Sequence, residues 1–366
     1  MNGLIKSVLN RFAPGPGAIY RIFTPIAARM MTRIASFFPA LTLRRCINAA
    51  AILGSYWLSR IAGKPVRPGL PIALSVEPTT SCNLRCPECP SGLRSFSRPT
   101  GMLDNGLFER VLEQTAGHLM FLTLYFQGEP YLHPEFIRLV QMAKRKRLHV
   151  TTSTNGHYLD DATAKATVES GLDKLIVSVD GATQESYAQY RVGGSLDKVL
   201  EGIKRLVEWK RKLNSAHPQV VFQVLIVRPN EHELDRLAAI AREIGVDRVL
   251  FKTAQVYAPS DDHALIPSQE QHARYVRQPD GTWKIKNPLR NSCWKMWHSC
   301  VMTWDGKIVP CCFDKDARHQ VGDLNGEPFR SVWFSPPYQD FRKKLFKGRS
   351  EIDICTNCSE GTKVFG

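Results

Sequence analysis

Ser81-Cys82-Asn83-Leu84-Arg85-Cys86-Pro87-Glu88-Cys89-Pro90 sets three cysteines at C-x3-C-x2-C spacing. Three thiolates can hold three irons of a 4Fe–4S cube and leave the fourth open to a substrate or cofactor, whereas four cysteines close the cube. The competing reading is structural zinc, which asks for four tetrahedral ligands, usually as two C-x2-C pairs. No fourth Cys or His lies near the triplet, the next being His118. The run follows Ile72 to Val76, which reads as a strand, so the thiols are expected on the loop that leaves it.

Downstream, apolar strands alternate with amphipathic helices. Asp104 can cap a helix whose apolar face is Leu107, Phe108, Val111 and Leu112. Met120 to Phe126 is a strand; Pro134 opens a helix carrying Phe136, Leu139, Val140 and Ala143. His149 to Thr152 is a strand, Asp161 to Glu169 a helix, and Leu175 to Val179 a strand of the buried type. Leu196, Val199, Leu200, Ile203, Leu206 and Val207 form a helical stripe, and Val220 to Val227 a strand. Asn230 with Glu233 reads as an N-cap and N3 pair opening a helix with Leu234, Leu237, Ile240 and Ile244, and Arg248 to Phe251 starts a sixth strand. Six strand–helix alternations imply an α/β fold with a parallel sheet and right-handed crossovers, open or closed into a barrel.

The cysteine triplet resembles the cluster motif of the radical SAM superfamily. The resemblance implies a partial (β/α)6 TIM-like barrel, a 4Fe–4S cluster on Cys82, Cys86 and Cys89, and S-adenosylmethionine (SAM) on its open iron. One electron would then cleave the cofactor and yield a 5′-deoxyadenosyl radical that abstracts hydrogen from substrate. Further motifs carry the resemblance. Phe126-Gln127-Gly128-Glu129-Pro130 is similar to the family's GGE motif, with Gln127 replacing the first glycine; Gly128 and Glu129 would receive the SAM ammonium. Asn155 ends the third strand. Ser178 and Asp180 close the fourth and share a face because strand residues alternate with period two. They resemble the ribose-contacting residues; the competing reading is that Asp180 and Thr183 simply start the next helix. Arg191 resembles an arginine facing the SAM carboxylate, against a plain surface arginine. Many members place an aromatic before the third cysteine, beside the adenine, where this chain has Glu88.

A second constellation follows residue 290. Cys293 precedes Trp304-Asp305-Gly306-Lys307-Ile308-Val309-Pro310-Cys311-Cys312, in which Asp305-Gly306 is a hairpin signal. A helix is expected near Tyr338 to Leu345, and Cys355-Thr356-Asn357-Cys358 closes the chain. This region resembles the SPASM/twitch extension, in its shorter form. The implied ligands of an auxiliary 4Fe–4S cluster are Cys293, Cys311, Cys355 and Cys358; Cys312 could replace Cys311, and Cys300 could replace Cys293. A four-cysteine zinc site is the competing reading. An auxiliary cluster implies net dehydrogenation, for which Asp314 is the nearest candidate base.

Length, charge and cysteine use bound the rest. The 366 residues suit one large domain with additions: a basic extension 1–70, a core 71–258, a connecting segment 259–289 and a cluster domain 290–366. Ten cysteines in clusters fit metal ligation in a reducing cytoplasm better than a secreted disulfide framework. Net charge is +15, and residues 1–70 hold ten Lys and Arg (Lys6, Arg11, Arg21, Arg29, Arg33, Arg44, Arg45, Arg60, Lys64, Arg67) but no acid. No apolar run there reaches the ~20 residues that span a bilayer. Peripheral membrane contact, a helical extension packed on the core and a cleaved transit peptide all fit that composition. Nucleic-acid binding is not expected, for want of a recognisable module. Expected partners are a flavodoxin or ferredoxin electron donor and a small-molecule, lipid-linked or peptide substrate. The non-enzymatic alternative is a zinc-binding interaction protein.

Overall fold

The computed structural model describes residues 37–66, 69–260 and 263–361. The membrane reading of the extension therefore rests in part on residues outside the description, including Lys6, Arg11, Arg21, Arg29, Arg33 and Arg67.

Six parallel strands form the core in the order of the chain: β1 (Ala73–Val76), β2 (Phe121–Leu124), β3 (His149–Thr154), β4 (Lys174–Ser178), β5 (Gln219–Ile226) and β6 (Arg248–Thr253). Sequential order with a helix in each crossover is the partial TIM-like barrel that the resemblance implied. Period-two alternation splits each strand. Leu122 and Leu124 of β2, or Phe222, Val224 and Ile226 of β5, join the helix-facing core, while Thr123, Gln223 and Leu225 lie on the other face.

The helices form where apolar spacing and caps coincide. Asp104 accepts from the Leu107 amide and starts α2 (Asn105–Thr115), which follows α1 (Leu43–Ala62). The helix expected from Pro134 begins at Phe136 (α3, Phe136–Arg145), and α4 spans Asp161–Glu169. Thr183 and Ser186 make a capping box at the start of α5 (Gln184–Tyr190); α6 is Leu196–Lys212.

One cap reading is corrected. α7 (Leu234–Ile244) has Glu233 at its N-cap with no side-chain cap bond. Asn230 instead donates to the carbonyls of Asp180 and Leu225, and Glu233 accepts from the Ala182 amide and the Ser186 hydroxyl. Both groups were worth more bonding the β4–α5 loop than closing their own helix, because that loop is buried and its polar groups need partners.

The connecting segment holds a hairpin, β7 (Tyr275–Arg277) with β8 (Trp283–Ile285). Leu265, Ile266, Ala273 and Tyr275 pack with Leu84, Cys86 and Val227 in a second apolar cluster over the cysteine loop.

The C-terminal region continues the barrel sheet. β9 (Ser299–Met302) lies parallel to β1, and β10 (Lys307–Val309) returns antiparallel through Gly306 at φ 86°. β11 (Gly322–Asp323) ends a nine-stranded sheet ordered β11-β10-β9-β1-β2-β3-β4-β5-β6. The hairpin thus pairs the free edge of β1, which would otherwise present unbonded amides. α8 (Phe329–Trp333) and α9 (Pro336–Gly348) pack behind it.

Candidate active site

The loop after β1 carries Cys82, Cys86 and Cys89 at the C-terminal end of the sheet, where barrel chemistry gathers. A one-turn helix, Pro90–Leu93, closes it, and Gly92 is required there: a Cβ would stand 2.5 Å from the Cys86 nitrogen. The Cys82 sulfur accepts from the Leu84 amide at 3.5 Å, and Arg191 Nη1 lies 3.8 Å from the Cys86 sulfur. The three thiols are within electrostatic reach of one another. Burial pushes Cys82 up to about 11 and raises Cys86.

Gly128 adopts φ +72°, and a Cβ there would sit 2.2 Å from the Thr79 carbonyl oxygen. Only glycine lets the β2 loop lie against the cysteine loop, where the Glu129 amide donates to the Ser81 carbonyl at 2.7 Å. The Glu129 carboxylate accepts from the Thr154 hydroxyl and the Asn155 amide, both at 2.7 Å. Burial nonetheless pushes its pKa up to about 7. Asn155 donates to Asn83 at 2.7 Å and approaches the Cys82 sulfur at 3.9 Å.

Asp180 does not cap the next helix; Thr183 does. Asp180 accepts from Arg191 Nε at 2.5 Å and from the Leu225 amide at 2.6 Å, and Ser178 is buried two residues before it. The surface reading of Arg191 falls with that ion pair, since its side chain is only 16% exposed. Glu88 accepts from the Tyr257 amide at 2.9 Å and pairs with His263 at 3.1 Å. The residue that stands where many relatives have an aromatic is a latch between the cysteine loop and the connecting segment.

The second thiol group forms where the chain end meets the hairpin. Cys293, Cys311 and Cys358 lie within mutual electrostatic reach, and Cys355 faces Cys293. Burial pushes Cys355 up to about 11 and Cys358 up to about 12, and raises Cys293 and Cys311. Gly361 closes on the group so tightly that a Cβ would be 2.3 Å from the Cys293 sulfur. Cys300 stands apart: it lies on β9 in the apolar core, paired in register with Leu74 and facing Arg342. Cys311 and Cys312 diverge. Cys312 packs with Phe126, Val301 and Val309, its sulfur 3.5 Å from Lys295 Nζ and within reach of Tyr125. Asp314 is buried and spends its two oxygens on the amides of Arg318 and His319, each at 2.8 Å, so it caps its own loop.

Several contributors had no sequence signal of their own. Arg349 is fully buried, donates to the Cys358 sulfur at 3.3 Å, and lies near Cys293 and Cys355. Its Nε is buried with no hydrogen-bond partner. Tyr125, following β2, leaves 40% of its surface open although Cys89, Arg191, Cys312 and Glu129 all surround it. Lys252 on β6 is exposed to the same space, near Lys295, Glu360 and Cys312. Tyr125 and Lys252 both stand near Cys312, and Tyr125 also near Cys89. No local pattern marks them, because their partners come from other elements of the fold: Cys312 for Tyr125, Glu360 for Lys252 and Cys293 for Arg349.

The donor sets fit iron–sulfur clusters. Both are thiol-only and at least partly buried, and the second has the Arg349 guanidinium donating to the Cys358 sulfur, which suits an anionic cluster. Among the described residues no three His, Cys, Asp or Glu groups converge as ligands of one metal ion do. Thiolates on a four-iron cube stand wider apart than that.

Comparison with known proteins gives the same class. Residues 76–241 match the family model of the radical SAM superfamily, and residues 293–359 that of an iron–sulfur cluster-binding domain, SPASM. This chain belongs to the radical SAM superfamily and carries a C-terminal SPASM domain; its cofactors are a 4Fe–4S cluster, SAM and auxiliary iron–sulfur ligation. It is 26% identical to a tungsten-containing aldehyde ferredoxin oxidoreductase cofactor-modifying protein of Pyrococcus furiosus, over 78% of this chain and 86% of that one. It is 32% identical to a PqqA peptide cyclase of Gluconobacter oxydans, spanning 56% of each chain. The solved structure of Streptococcus suis SuiB bound to S-adenosylmethionine has the same fold, with a TM-score of 0.57 at 15% identity over 81% of this chain and 73% of that one.

Proposed function

We propose that this radical SAM enzyme oxidatively modifies a peptide. The observation that supports the reading is Tyr125, which is exposed after β2 and lies within electrostatic reach of Cys89 in the first thiol group and of Cys312 beside the second, with Lys252 also near Cys312. A substrate held there would be reached by chemistry from both sides. When bound, SAM and the first cluster supply a 5′-deoxyadenosyl radical.

The chain's own residues do the positioning. Cys82, Cys86 and Cys89 hold the first cluster. Gly128 brings the β2 loop close, and the Glu129 carboxylate receives the SAM ammonium. Ser178, Asp180 and Asn155 line the cofactor side, and Arg191 neutralises Asp180 while standing over Cys86. Cys293, Cys311, Cys355 and Cys358 hold the auxiliary cluster, with Arg349 countering its charge. Net dehydrogenation removes one hydrogen atom, then one proton and one electron. An auxiliary cluster on Cys293, Cys311, Cys355 and Cys358 would supply an acceptor for that electron. Asp314 is not the base in this reading, because its carboxylate is committed to its own loop. The basic surface suits an acidic flavodoxin or ferredoxin as donor.

The peptide class is supported by the PqqA peptide cyclase relative. A second reading, modification of a small cofactor, is supported by the fuller coverage of the Pyrococcus furiosus relative. The test is anaerobic reconstitution, iron counting and incubation with dithionite and SAM. Roughly eight irons per chain with 5′-deoxyadenosine formed is the expected result. Short peptides encoded beside the gene are then added and their masses read. Loss of two hydrogens supports the peptide reading; deoxyadenosine without any mass change on those peptides overturns it.

A further inference from the structure

Seven of the thirteen exposed large apolar side chains among the described residues fall between residues 38 and 61. Five lie on α1: Leu43 (79% exposed), Ile47 (61%), Trp57 (45%), Leu58 (53%) and Ile61 (84%). At 3.6 residues per turn they form one stripe, filled in by Ala50 and Gly54, about 27 Å long. Exposed Arg44 and Arg60 stand about 100° to either side of it, and exposed Lys64 follows the helix end. The helix carries no acid, and neither does any residue before Glu77.

The opposite face of α1 cannot turn outward to cover the stripe. Ile52, Ser55, Tyr56 and Ser59 are buried, and Arg45 donates five hydrogen bonds to the carbonyls of Ala40, Ala116, Lys146 and Arg147. An apolar stripe of this size flanked only by cations complements a surface that is apolar within and negative at its face. We propose that α1 docks the protein on an anionic phospholipid bilayer. Among the described residues no helix is long and apolar enough to cross one, so the helix lies along the surface.

The docking fixes an orientation. Of the carbonyls that Arg45 binds, Ala116 precedes β2 and Lys146 and Arg147 precede β3, and Phe37 stacks on His149, the first residue of β3, at 4.4 Å. α1 therefore lies under the N-terminal ends of the strands, opposite the cysteine loops. The candidate active site of the docked protein faces water, and its substrate arrives from the aqueous side.

The test is vesicle flotation of the full-length protein. Vesicles of phosphatidylcholine alone are compared with an equimolar mixture of phosphatidylcholine and phosphatidylglycerol. Wild type should float with the mixture and much less with phosphatidylcholine alone. The double variant Ile47→Glu, Ile61→Glu should lose flotation by about tenfold or more, while Leu213→Glu, on α6's exposed end, should not. An unchanged melting temperature shows that the double variant folds. Wild type that stays unbound on the anionic vesicles overturns the proposal, and so does a double variant that floats as well as wild type. A lipid-free dimer in sedimentation that the double variant dissolves would assign the stripe to a second copy and also overturn it.

Discussion

Glu129 shows how burial and function meet in one side chain. Burial lifts its pKa from the ordinary carboxyl value of about 4.5 to about 7, because desolvation outweighs the bonds from Asn155 and Thr154. A raised carboxyl pKa means that the folded state holds the proton longer. The cost of the buried charge is absent below about pH 4.5 and complete above about pH 7, so stability falls across that window. Glu129→Gln should therefore gain stability relative to wild type as pH rises through it, read as melting temperatures without SAM. If the Glu129 carboxylate receives the SAM ammonium as proposed, SAM binding should weaken in wild type as pH falls through about 7, and calorimetry at either side checks it. Cys311 and Cys312 make a second residue-scale test. Cys311→Ser should reduce reconstituted iron from about eight to about four per chain, whereas Cys312→Ser should keep it, because Cys311 lies within electrostatic reach of Cys293 and Cys358 while Cys312 packs with Phe126, Val301 and Val309. Equal losses would reverse the assignment. Adjacency in sequence hid this difference, since only the packing at the end of β10 decides which thiol faces which way.

At the scale of elements, the loops do the joining. The cysteine loop is bound to the connecting segment by Glu88 through Tyr257 and His263. That segment is bound in turn to the C-terminal cysteines: Asn357 donates to the Val256 carbonyl at 2.7 Å, and Tyr275 bonds Asn357 at 2.9 Å. Glu88→Ala should release this strap and cost about 1–3 kcal/mol. Faster amide hydrogen exchange across Val256 to Ile266 would register the release, and unchanged protection would show that the apolar cluster alone holds the segment. The helices themselves were legible, because Leu107-Phe108-Val111-Leu112 or Leu196-Val199-Ile203 repeat with the helical period and sit beside a cap. The Asn230–Glu233 pair misled because a capping pattern is local, while the Asp180 carbonyl and Ala182 amide that claimed those side chains come from the preceding βα unit.

The whole molecule is tied at its base by Arg45, whose guanidinium meets carbonyls from three separate segments and no carboxylate. Arg45→Met keeps the apolar stem but strands those buried carbonyls, at a cost of about 3 kcal/mol or more. A fall in melting temperature together with easier proteolysis within residues 37–66 would confirm that α1 is held by this one residue. A melting temperature equal to wild type would show that Ile52 and Tyr56 suffice.

Sequence alone determined the class of protein: a cysteine triplet after a strand, a glycine-glutamate loop one unit later, and six apolar strands at helical intervals. These signals are local, and each depends only on spacing along the chain. The tertiary structure decided what spacing cannot encode. It set Cys311 with the auxiliary thiols and Cys300 in the core, committed Asp314 to its own loop, and placed Arg349 on the second thiol group. It also joined the C-terminal hairpin to the β1 edge and, among the described residues, left the stripe of α1 exposed. In each case the outcome depended on which distant group was within a few ångströms, and only the folded chain brings such groups together.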